Sequence, residues 1–80
     1  MALTHELLVT FDTPDSSSSR ADELLDFCES IVDPRGNVKI TTVGYVNGWE
    51  VEILFYNATN TQVDEVESAL YRAGYNVEYI

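Results

Sequence analysis

The sequence predicts an α+β fold, one four-stranded antiparallel sheet with two helices on one face, in the order β-α-β-β-α-β. Three observations carry this. The residues from Leu3 to Asp12 alternate between apolar and polar. An Asn47-Gly48 dipeptide joins two further alternating runs. Two segments, one beginning at Ala21 and one at Val63, repeat apolar residues at helical spacing.

In the first strand, Leu3, His5, Leu7, Val9 and Phe11 fall on the side expected to face the core, and Thr4, Glu6, Leu8, Thr10 and Asp12 fall on the other. Thr13-Pro14-Asp15 ends the run, because proline donates no ladder hydrogen bond. Ser16 to Ser19 read as a helix start, since serine oxygens accept the unpaired N–H groups of a first turn. Leu24, Leu25, Cys28, Ile31 and Val32 then form one helical face, and Pro34 and Gly36 stop the helix.

Asn47-Gly48 suits a type I′ turn, which needs positive φ at both central residues. That turn sets Val46 opposite Trp49, Gly44 opposite Val51, Thr42 opposite Ile53 and Ile40 opposite Phe55, all on one face. The other face takes Lys39, Thr41, Val43 and Tyr45 with Glu50, Glu52, Leu54 and Tyr56. A slip of one residue would invert both patterns. Asn57 to Thr61 is turn chemistry, and Thr61 with Asp64 reads as a weak capping box. Val63, Val66, Ala69, Leu70 and Ala73 make the second helical face, and Gly74 is placed as its C′ residue. Tyr75 to Ile80 alternates again, with Val77 inward.

Right-handed crossovers place the first and third strands in the centre and the second and fourth at the edges. This order resembles the ferredoxin-like fold over residues 1–80, as one domain without an internal linker. The fold hosts many unrelated functions, so function has to come from particular side chains.

Composition narrows the choice. Fourteen Asp and Glu stand against four Lys and Arg, for a net charge of −10 on 80 residues. Direct binding to nucleic acid or to an anionic membrane needs a basic face and is not expected. The apolar content of 45% is too high for a disordered acidic tail. A single cysteine excludes an internal disulfide and suits a reducing compartment, so a cytoplasmic location is expected. The start MALTHELL lacks a basic signal-peptide region, and no apolar run is long enough to span a bilayer.

Catalytic chemistry finds little support. His5 is read as a partly buried structural histidine and Cys28 as a buried, inert thiol on the apolar helix face, with no nucleophile–base pairing in view. Heavy-metal chaperones of this fold carry two cysteines where this chain has serines. Acylphosphatases carry a phosphate-cradling loop there, whereas Asp12 and Asp15 would repel an anion. RNA-recognition motifs stack bases on the open sheet face, which here holds Glu6, Glu50, Glu52 and Glu78. Glu6, Glu50 and Glu52 on that face could in principle hold a hard cation, but a solvated acidic strand face is the commoner arrangement. No catalytic residue, metal or cofactor is therefore assigned.

The acids themselves are the main feature. Asp22, Asp26, Glu29 and Asp33 recur along the first helix as one stripe opposite the core face, flanked by Glu23. The second helix adds Asp64, Glu65 and Glu67, with Tyr71 read on the same outward side. A solvated helix face and salt adaptation are the plainer accounts. Charge mimicry of nucleic acid is the sharper one. In size, charge and architecture the chain resembles small acidic inhibitors encoded by phages, the anti-CRISPR proteins and other DNA mimics. The resemblance lies in whole-chain character and rests on no motif. It implies a non-enzymatic inhibitor acting in the host cytoplasm, whose partner is a basic nucleic-acid-binding protein. Its binding residues would be Asp22, Glu23, Asp26, Glu29, Asp33, Asp64, Glu65, Glu67 and Tyr71. The alternative is a homodimeric regulatory or scaffold domain joined through the open sheet face, where Tyr45, Glu50, Glu52, Leu54 and Tyr56 would lie, with Leu8, Val43 and Ile80 adding apolar surface.

Overall fold

Six elements appear in the expected order in a computed structural model, which describes residues 2–11, 17–32, 38–44 and 50–80, with backbone alone for 17–19. They are β1 (Leu3–Thr10), α1 (Ser17–Ile31), β2 (Lys39–Gly44), β3 (Glu50–Tyr56), α2 (Asn60–Arg72) and β4 (Asn76–Tyr79). The strands form one antiparallel sheet in the order β2-β3-β1-β4. This is a ferredoxin-like α+β arrangement. The Asn47-Gly48 turn, Val46, Trp49 and Tyr45, the loop prolines, Ser16 and Asp33 lie outside the described residues.

Alternation within the strands fixes which side the helices cover. Leu7, Val9, Val51, Ile53, Phe55, Ile40 and Val77 are buried together with Ala21, Leu24, Cys28 and Val32 of α1 and Val63, Val66 and Leu70 of α2. The hairpin register is as expected over the described residues, with Ile40 opposite Phe55, Thr42 opposite Ile53 and Gly44 opposite Val51. Two hydroxyls tie the helices down. Thr42 Oγ1 donates to the Ala21 carbonyl at 3.0 Å, and Tyr71 donates to the Val77 carbonyl at 2.7 Å.

Two local expectations need correction. Leu3 does not join the core side. It pairs with Tyr56 while His5 pairs with Phe55, so Thr4 is an extra residue in the ladder. A bulge of this kind reverses the alternation before it, and Leu3 is 46% exposed. Thr4 holds the bulge, since its Oγ1 donates to the Phe55 carbonyl at 3.2 Å and accepts the Ala58 N–H at 3.1 Å.

The second correction concerns the start of α2. Thr59 caps it, not Thr61. The Gln62 N–H donates to Thr59 Oγ1 at 3.2 Å, and the Thr59 N–H donates to Gln62 Oε1 at 2.8 Å. The pattern Thr-x-x-Gln places a side chain long enough to reach back to the cap, where Asp64 would be one methylene shorter.

Helix α2 ends as a Schellman motif. The Gly74 N–H donates to the Tyr71 carbonyl and the Tyr75 N–H to the Leu70 carbonyl, both at 3.0 Å. Gly74 has φ of +93°, and a Cβ there would meet only open space. Gly74→Ala is therefore expected to cost about 1 kcal/mol, from backbone strain alone. A urea midpoint unchanged from the parent would contradict that assignment.

Candidate interaction surfaces

His5 and Cys28 are both engaged within the fold. The His5 Nε2–H donates to Asn60 Oδ1 at 2.7 Å, a bond that puts the proton on Nε2. Its Nδ1 is buried without a partner. The sequence holds Asn60 but no signal that ties it to His5, because the two are brought together only by packing of the α2 start beside β1. Cys28 is fully buried, and its thiol is pushed up to about 12 by burial and then by the charge of Glu29. Among the described residues no three His, Cys, Asp or Glu side chains stand close enough to hold a metal ion.

Acidic side chains dominate the outer surface of α1. Asp22, Glu23, Asp26 and Glu29 are all exposed on the side away from the buried Ala21, Leu24 and Cys28. The helix also carries Arg20, but its guanidinium lies over the Phe11 ring, 4.3 Å from the centroid. Phe11 in turn meets Tyr75 edge-on at 5.9 Å, and Phe27 meets the same ring at 6.3 Å. This aromatic group closes one end of the core and holds the arginine beside it. Among the described residues, the exposed charged side chains of α1 are therefore acidic.

Helix α2 is different. Glu65 lies on its outer side with Thr61, Ser68 and Arg72, and these line an open groove with Asp64, Ala69 and Ile31 of α1. Asp64 accepts a hydrogen bond from the Tyr79 hydroxyl at 2.7 Å. That hydroxyl is pushed up to about 12 by its desolvation, then by the bond to Asp64 and the nearby charge of Glu67. Glu67 is half-buried, and Tyr71 is 55% exposed with its hydroxyl on β4. The structure thus gathers the α1 acids on one surface. It turns part of the α2 set towards β4 and mixes the remainder with Arg72.

On the uncovered side of the sheet, Leu8, Leu54, Tyr56, Glu6, Glu50 and Glu52 are half-buried, and Val43, Glu78 and Ile80 are exposed. Glu52 lies opposite Val43 on one side and Leu8 on the other, while Leu54 lies between Thr41 and Glu6. Acids and apolar groups therefore alternate there. No helix among the described residues is long and apolar enough to cross a membrane.

No protein-family model matches the chain, and no curated protein or solved structure is detectably similar to it. The surfaces themselves are what bears on function.

Proposed function

We propose that this chain is a non-enzymatic binding protein that sets the outer face of α1 against a basic protein of the nucleic-acid-binding kind and blocks that protein's groove by charge mimicry. An inhibitor of the phage-encoded anti-CRISPR or DNA-mimic type is the form of this reading that size and charge favour. One observation carries it. Asp22, Glu23, Asp26 and Glu29 form an exposed acidic surface, and Arg20, the cation of α1 among the described residues, lies over Phe11. Carboxylates a helical turn apart are spaced by about 5.4 Å along the axis, against about 3.4 Å per phosphate along one DNA strand. The mimicry is thus of field more than of spacing. A dense negative surface raises the association rate with a basic groove, and salt weakens it by screening.

Charge reversal tests the proposal. Asp26→Lys with Glu29→Lys should leave folding almost untouched, within about 0.5 kcal/mol for each site, because both side chains point into solvent. The pair should reduce association with a partner captured from bacterial lysate by more than about tenfold at low salt. Double-stranded DNA should displace the same partner from the unmodified chain. If the reversal leaves both the affinity and its salt dependence intact while Glu50→Lys with Glu52→Lys abolishes capture, mimicry by the helix face is wrong.

A further inference from the structure

The open sheet face has an order beyond its mixed composition. Two neighbouring rows cross all the strands. One runs Val43, Glu52, Leu8, Glu78. The other runs Thr41, Leu54, Glu6, and then Ile80, whose N–H donates to the Glu6 carbonyl at 3.3 Å. The apolar residues alternate between the rows from strand to strand, so Val43, Leu54, Leu8 and Ile80 trace a zigzag across β2, β3, β1 and β4. Diagonal neighbours of this kind stand roughly 7–8 Å apart, close enough for one continuous apolar track. Glu52, Glu6 and Glu78 occupy the notches of that track. With strands about 4.8 Å apart, the track is about 15 Å long. Its outer members are open to solvent, with Val43 43% and Ile80 64% exposed.

We infer that this track docks a cationic amphipathic segment of another protein, laid across the strands, with its apolar side chains along the zigzag and its Lys or Arg groups in the glutamate notches. Charge decides the occupant. Among the described residues of this face the acids are Glu6, Glu50, Glu52 and Glu78, and the cation is Lys39. A second copy stacked face to face would bring two sets of these acids together as water leaves, and like charges in an interface oppose binding. An anionic lipid or nucleic-acid surface meets the same sign. A segment that interleaves cations with apolar groups matches both parts of the pattern. This surface lies opposite the helices, so the inference stands independently of the α1 proposal.

The test uses the full chain labelled with ¹⁵N and two synthetic peptides of equal length and charge. One peptide is built of Leu and Lys, and the other has Ser in place of Leu. The Leu peptide should shift backbone amides around residues 6–8, 41–43, 52–54 and 78–80, and bind at least tenfold tighter than the Ser peptide. Leu8→Ser with Leu54→Ser should remove that advantage. If this pair does not fold, Glu6→Lys with Glu78→Lys, both on the open face, should lower affinity at least tenfold. Three results would overturn the inference. The first is equal binding of both peptides, which would reduce the effect to bulk charge. The second is a set of shifts confined to residues 22–29. The third is sedimentation of the unliganded chain as a dimer that the Leu8→Ser, Leu54→Ser pair dissociates, which would assign the face to a second copy.

Discussion

Phe55→Ala should destabilise the fold by about 3–5 kcal/mol, the usual cost of removing a buried aromatic ring and leaving a cavity. Phe55 lies on the central strand β3, paired with Ile40 of β2 on one side and His5 of β1 on the other, and it is fully buried. Domains of this size are stable by only about 5–10 kcal/mol, so a large part of the total would be lost. Leu54 supplies an internal control. It is the adjacent residue on the same strand, but it points to the open face and is half-buried. Leu54→Ala should cost clearly less, because water already reaches part of its side chain. Urea unfolding of the two variants measures the difference. Equal losses would mean that the assignment of faces in β3 is wrong.

Alkaline pH should destabilise the protein through Cys28. The thiol has an ordinary value of 9.0 and is pushed up to about 12 in the fold by burial and by Glu29. Below about pH 9 the thiol is protonated in both states, and its contribution to stability is fully present. Between 9 and 12 the unfolded chain releases this proton while the native chain retains it, so stability falls as pH rises. At about 1.4 kcal/mol per unit, the loss by pH 10.5 is about 2 kcal/mol. Tyr79 shifts in the same direction, so the informative quantity is the difference from Cys28→Ala, in which the cysteine contribution is absent. Urea titrations of both proteins from pH 8 to 10.5 should diverge. Parallel curves would show that Cys28 is not held protonated by burial.

Some of this protein is legible in the sequence because local chemistry decides it. The alternation in β3 and the Asn47-Gly48 signal together specify a register that is found for every described pair from Ile40 to Gly44. Strand side chains alternate with a period of two, so a single correct pairing carries all the others. The α2 cap was also present, as Thr59 with Gln62. It is missed only if the shorter Asp64 is allowed to compete with it. The exposed acids of α1 follow in the same way, since residues 22, 26 and 29 cannot face the core when 21, 24 and 28 do.

The remaining features depended on packing between distant segments. The bulge at Thr4 arises because its hydroxyl bridges Phe55 and Ala58, more than fifty residues away, and no local pattern marks that crossing. The partner of His5 is likewise Asn60, and Arg20 finds Phe11 only after α1 folds back onto the sheet. The α2 acids read as one outward row from helical spacing alone. The fold sets Tyr79 beside Asp64 and places Glu65 and Arg72 along one open groove, so one acid of that helix is engaged within the molecule. Periodicity fixes which side of an element faces the core, because that depends on neighbours three or four residues away. Which polar groups meet across elements, and hence which acids remain for a partner, is decided only when the strands take the order β2-β3-β1-β4.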